Sequence, residues 1–217
     1  MERYCILGKF NTFYDWRLIL TNKDIPDAEP KTNLVKLDGM SGSLDLSESL
    51  TGEVAYDDRV ISLTFWTDYG SRRDRDTLLR TITTELHGKK IKVIEPDDST
   101  HYYYGRVKVK SKSNKLAYAE ISLEITCEPW RFAIEESVRR VDVMTSSASV
   151  VIHNSGVKTL CPTLTVSGSV NVEIDGLSTD LTTGEYKITN LKLKTGVNIV
   201  KVSGSGSVTF TYREADL

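Results

Sequence analysis

"YAEISLEITCE", Tyr118–Glu128, carries the clearest structural pattern in the chain. Ala119, Ile121, Leu123, Ile125 and Cys127 take every second position, and Glu120, Ser122, Glu124 and Thr126 fill the positions between. Side chains alternate across a strand, so this pattern predicts a strand with one face in a core and the other in water. Just upstream, Val107 and Val109 alternate with Arg106, Lys108 and Lys110, and the intervening "SKSNKLA" is polar and turn-like. The two segments read as an antiparallel hairpin that sets the basic row beside Glu120 and Glu124. Cross-strand pairs of this kind stabilise by about 0.2–1 kcal/mol each. The basic triplet is thereby explained without a nucleic acid.

Working outward, Arg59–Trp66 puts Ile61, Leu63 and Phe65 on one face and Val60 and Trp66 on the other, which predicts burial on both sides. One helix is expected over Asp74–His87. Asp74 or Asp76 would cap it, Leu78, Leu79, Ile82 and Leu86 form its apolar stripe, and Gly88 stands where it should end. The preceding "SRRDRD" mixes signs and reads as a solvated helix start, with a subunit contact as the alternative. In "HYYYG" (His101–Gly105) the three tyrosines must divide between core and sheet surface, with a protein interface or a ligand-stacking platform as alternatives.

Beyond about Arg131 the texture changes. Aromatics become rare, and Ser, Thr, Val and Gly dominate. Short apolar alternations recur: Val150/Ile152, Leu164/Val166, Val170/Val172/Ile174, Tyr186/Ile188, Leu191/Leu193, Val197/Ile199 and Val208/Phe210/Tyr212. Gly156, Gly168, Gly176, Gly184, Gly196 and Gly204 read as the turns between them, and "SGSGS" (Ser203–Ser207) as a tight hairpin turn. The expected architecture is mainly β. Strands with one α-helix occupy 1–131, and a small β-sandwich occupies 132–217.

Several classes of chemistry are not signalled. The 217 residues carry a net charge of -2, which gives no global drive toward nucleic acid or anionic membrane. No apolar run approaches the roughly 18–20 residues of a membrane-spanning helix, and "MERYCILGKFNTFYDW" has no apolar core of a signal peptide. Cys5, Cys127 and Cys161 are widely spaced and odd in number, and read as reduced thiols used as small buried hydrophobes. Phosphate-loop, GxSxG and HExxH patterns are absent, so no catalytic residue, metal ligand or cofactor site is assigned. Asp57-Asp58 and Asp97-Asp98 read as turns or strand starts, because neighbours on a strand diverge. A calcium site built with "DGMSGSLD" is the alternative, and it lacks the EF-hand spacing.

The order of features resembles the distal tail protein family of long-tailed phages and prophages of Gram-positive hosts. "DGMSGSLDLSESLTG…Y.DR", "LHGKKIKVIEPDD", "YYYGR" and "ITCEPW" carry the resemblance in the first part, and "NSG…CPTLTVSGSV" and "LKTGVNIVKVSGSGSVTFTYREADL" in the second. The resemblance implies a first domain that is a tail-tube-like N-terminal β-sandwich with one α-helix and forms a hexameric ring, and a galectin-like C-terminal β-sandwich as the second domain. It implies a virion protein of the tail tip, assembled in the host cytoplasm and not an enzyme. Its partners would be the tail tube protein, the tape-measure protein, a tail-associated lysin or fibre, and receptor-binding proteins, with DNA passing only in transit. The segment matching Gly39–Arg59 would be the ring-forming element. Its alternating Leu44, Leu46, Leu50, Val54 and Tyr56 have apolar surface to bury but too little to make a core. Leu44, Leu46, Tyr56 and Arg59 are therefore the candidate subunit-interface residues. A host-surface carbohydrate-binding module is the alternative reading. The second domain has no Trp, and Phe132, Tyr186, Phe210 and Tyr212 mostly sit at core-like positions, so a protein-binding platform is expected there.

Overall fold

The computed structural model describes residues 4–49, 52–144 and 147–217. The chain divides into two compact units, one reaching to Arg131 and the other spanning Phe132–Asp216.

The first unit contains β1 (Ile6–Leu7), β2 (Phe10–Asn11), β3 (Ile19–Asp24), β4 (Leu34–Val35), β5 (Leu44–Asp45), β6 (Arg59–Thr67), α1 (Arg72–Leu86), β7 (Lys90–Ile94), β8 (His101–Asn114) and most of β9 (Ala119–Ala133). Seven of these strands hydrogen-bond in the order β2-β1-β7-β8-β9-β6-β3, while β4 and β5, among the described residues, pair only with each other. The alternation of β9 is realised in full. Ala119, Ile121, Leu123, Ile125 and Cys127 are all buried, and Ile61, Leu63 and Phe65 of β6 lie opposite Ile125, Leu123 and Ile121.

The sheet must curl. β3 and β7 are four strand spacings apart, about 19 Å in a flat sheet. Yet Lys23 of β3 forms ion pairs with Glu95, just past β7, and with Asp97 at 2.6 Å. Leu7 from one end of the sheet and Leu20 from the other accordingly share one core with Leu79, Ile82 and Leu86 of the helix.

Three local expectations are corrected. Val60 is 41% exposed, so β6 is wet on its second face near its start. Ser71 caps the helix: its side chain accepts from Asp74 N–H at 3.3 Å while the Asp74 carboxylate accepts from Ser71 N–H at 2.9 Å. This reciprocal box starts the helix before Asp74 or Asp76. The charged run before the helix is also not all solvated. Arg75 is 3% exposed and donates to the carbonyls of Gly70 (2.8 Å), Lys115 (3.2 Å) and Leu116 (2.8 Å). It thus ties the helix start to the β8–β9 turn. Gly88, with φ +81, stands just past the helix end as expected.

The second unit contains β10 (Ser137–Val143), β11 (Ala148–Asn154), β12 (Thr163–Ile174), β13 (Leu177–Lys187), β14 (Gly196–Tyr212) and β15 (Ala215–Asp216). The order is β10-β14-β12-β13, with β11 also on β14. Asp175-Gly176, both at positive φ, make the two-residue turn between β12 and β13.

"SGSGS" is not a hairpin turn. It lies inside β14, which pairs β12 without interruption from Val200 to Thr211. Here β14 changes partner: Gly206–Tyr212 pair with β10 and Gly196–Val202 with β11. The glycines permit the bend. A Cβ on Gly206 would sit 2.0 Å from the Ser167 carbonyl oxygen, and one on Gly204 2.5 Å from that of Ser169. Gly168 and Gly184, read as turns, likewise lie within β12 and β13.

Val197 and Ile199 also differ from expectation. They face outward, and Asn198, Val200 and Val202 face the core. Asn198 sets this phase, because its amide donates to the Lys194 and Gly196 carbonyls at 2.7 and 3.1 Å and accepts from Lys194 N–H at 2.8 Å.

Candidate assembly interface

Between β3 and β6, the described residues 29–49 and 52–57 form a two-legged arm beyond Ile25, which still packs on the first core. Near its root Pro30 and Tyr56 form a bridge, flanked by Lys31 N–H to Ala55 O (2.8 Å) and Asp57 N–H to Glu29 O (2.8 Å). Further out Val35 pairs with Leu44 and Leu34 with Asp45. Gly, Ser and short polar residues hold the outer leg locally, as where Asp45 accepts from Ser47 N–H at 2.9 Å. With so few bulky residues the arm closes its backbone hydrogen bonds but cannot bury its own apolar groups.

The four candidate residues divide. Leu44 is 42% exposed, Leu46 is half-buried, and both lie on the arm. Tyr56 is half-buried at the root, where its ring stands edge-on to Trp130 at 5.4 Å. Arg59 is 4% exposed. It donates to the carbonyls of Pro129 and of Pro26 (3.4 Å), and its guanidinium lies over the Tyr103 ring at 5.4 Å. Its side chain is thus buried within its own chain, where it anchors the arm's root. Leu50 lies outside the described residues. Leu34, Leu37 and Met40 complete the exposed apolar set on the arm with Leu44 and Val54. Sequence reasoning did not single out Leu34, Leu37 and Met40, although "NLVKLDGM" carries them in plain view.

The acidic pairs hold structure. Asp57 pairs with Lys31 at 3.3 Å. Asp97 pairs with Lys23, and Asp98 accepts from Thr100 N–H (2.8 Å), the Thr100 hydroxyl (2.6 Å) and the His101 ring (2.8 Å). Burial by itself would raise the Asp98 carboxyl, but the hydrogen bonds from Thr100 and His101 overcome it and hold the group at about 2. Among the described residues no group of three His, Cys, Asp or Glu is placed to hold a metal ion. Burial pushes the thiols of Cys5 and Cys127 up to about 12, so neither is a nucleophile at neutral pH.

The hairpin reading of the basic row holds for Glu124, which pairs with Lys108 at 3.6 Å and Lys110 at 3.3 Å. Tyr102 and Tyr103 are buried, and Lys92 and Lys90 lie over the rings of Tyr102 and Tyr104, each at 4.5 Å. In the second unit, Phe210 is buried and Tyr186 and Tyr212 pack on the core. The outer face there is aliphatic instead: Val151 lies opposite Ile199, next to Val197, which is 65% exposed.

No family model matches the chain, and no curated protein matches it in sequence. Among solved structures it matches the Dit (gp 19.1) protein of SPP1, described as a paradigm of the hub adsorption apparatus in Gram-positive infecting phages. Identity is 14%, 99% of each chain is covered, and the TM-score is 0.74. At that identity the match establishes architecture: the chain has the fold of the SPP1 Dit protein from end to end, which is the fold that the resemblance to distal tail proteins leads one to expect.

Proposed function

We propose that this chain is a non-enzymatic structural component of a phage tail tip. In this reading it is a hub whose first unit forms a ring of six copies and whose second unit presents docking surfaces for other tail proteins. The observation that carries the reading is the end-to-end fold match to a protein described as a hub of a phage adsorption apparatus. The arm supports it independently. Large apolar side chains held on a structured arm away from their own core gain most by burial against another molecule. Leu44, Leu46 and Tyr56 are the residues proposed to pack across the ring contact, joined by Leu34, Leu37 and Met40. Arg59 is assigned the supporting role of fixing the arm's root.

The same reading places the chain in the virion after assembly in the host cytoplasm. The tail tube, tape-measure, lysin or fibre, and receptor-binding proteins are its proposed partners, and DNA crosses its lumen. The aliphatic face of Val151, Val197 and Ile199 favours a protein partner for the second unit over the alternative of a sugar, which is gripped by exposed aromatic faces.

The test is light scattering coupled to size exclusion on the full chain over a concentration series. A species approaching about 146 kDa, six times 24.3 kDa, is expected. Leu46→Asp should abolish it, and an oligomer that survives this change would remove the arm from the contact.

A further inference from the structure

The arm is acidic as well as apolar. Residues 25–58 contain eight carboxylate side chains, Asp27, Glu29, Asp38, Asp45, Glu48, Glu53, Asp57 and Asp58, against only Lys31 and Lys36. All eight are exposed. The opposite charge is concentrated elsewhere on the same unit. Lys90 and Lys92 of β7 and Arg106, Lys108, Lys110 and Lys112 of β8 are all exposed. The register sets Lys90 against Arg106 and Lys92 against Tyr104, so the basic side chains of the two strands share the outer face. Glu128 answers Lys90 at 3.0 Å and Glu124 is shared by Lys108 and Lys110, which leaves the face with an excess of positive charge. A hollow of about 540 Å³ opens beside it, lined by Lys90, Arg106 and Lys108 with Val107 and Thr126, and by Asp58 at the root of the chain's own arm.

We propose that this β7–β8 face is the seat for the arm of a second copy of the chain. The inference rests on the ring reading and specifies its contact. Arm and seat are different surfaces, so the contact is head-to-tail, the kind that closes into a ring or propagates as a filament, unlike a two-fold dimer. The arm's inner leg from Pro30 to Leu37 spans about 23 Å if extended. Its root is pinned by Arg59 and the Tyr56–Trp130 contact, so it leaves the body in a set direction. Carboxylates along the arm would meet the lysines and fix register, while Leu34, Leu37, Met40 and Leu44 provide the buried area. The chain's overall charge of -2 favours this self-complementary use of the basic face over a free polyanion.

The experiment measures assembly of full-length protein by light scattering, in about 0.05 and about 0.5 M salt, for the parent, Lys108→Glu with Lys110→Glu, Asp38→Lys with Glu48→Lys, and an equal mixture of the two variants. Far-ultraviolet circular dichroism and thermal melts confirm that each variant is folded. Each variant alone should raise the concentration needed for assembly by about tenfold or more, the mixture should recover much of the loss through its complementary interfaces, and high salt should weaken the parent. If the parent assembles and the variants assemble equally well, the seat lies elsewhere and the ring reading stands. A parent that is monomeric throughout overturns both. If the parent binds a duplex DNA oligonucleotide through Lys108 and Lys110 while assembly is untouched by their reversal, the face is a polyanion site and the proposal fails.

Discussion

The arm and the strand that follows it use the same kinds of residue in opposite ways. In β6, Ile61, Leu63 and Phe65 are sealed between β3, β9 and the helix. On the arm, Leu34, Leu37, Met40 and Leu44 stay in water. The difference lies in their surroundings. β6 is central in a curled sheet whose neighbours present apolar side chains in register, whereas β4 and β5 have only each other, and a two-stranded ribbon has no second layer to cover it. Apolar groups in β6 stabilise the chain, and in the proposed ring those on the arm would stabilise the assembly.

Substitutions test this contrast. The largest loss should follow Phe65→Ala, which leaves a cavity in the first core and costs about 3–5 kcal/mol in denaturant unfolding. A cost below about 1 kcal/mol would mean that the core is far looser than its burial implies. Arg75→Ala should cost about 1.5–3 kcal/mol, because it removes the hydrogen bonds by which a buried guanidinium holds the Gly70, Lys115 and Leu116 carbonyls together. Amide exchange should quicken first in the β8–β9 turn.

Asp98→Asn should act in a pH-dependent way. The native carboxyl is held at about 2, below its ordinary value near 3.8, so its contribution is present above that ordinary value and disappears as pH falls through about 2. The gap in stability between parent and variant should therefore close on acidification, and a gap that widens would contradict the Thr100 and His101 hydrogen bonds. The smallest effect on stability should come from Leu37→Asp with Leu44→Asp, within about 0.5 kcal/mol in unfolding of the dilute monomer. If this change destabilises the monomer as Phe65→Ala does, the arm belongs to the body and the contrast collapses.

How far the fold was legible depended on how local each signal was. The strands at 59–67 and 119–128 could be read because a period of two survives in any sheet. Arg75 could not. Between two aspartates it looks solvated, and it becomes buried only because the turn at Asn114–Leu116, some forty residues away, folds over it. Of the candidate interface, the Leu44–Leu46 leg was visible as apolar alternation on a polar background, while Arg59 looked like a surface charge until Pro26 and Pro129 closed over it.

Local sequence pattern sufficed for the strands, the helix with its stripe and its stop, the change of texture near Arg131, and a polar, Gly/Ser-rich segment with apolar groups it could not bury. These follow from side-chain period and backbone preference, which act over a few residues. Only the tertiary structure decided that "SGSGS" is a bend inside a strand, that Val197 and Ile199 face out, and that the first sheet curls until Lys23 meets Glu95. Each of these depends on what lies across the space from the residue: the Ser167 carbonyl against Gly206, the 194–196 loop around Asn198, and a core that both ends of the sheet must cover.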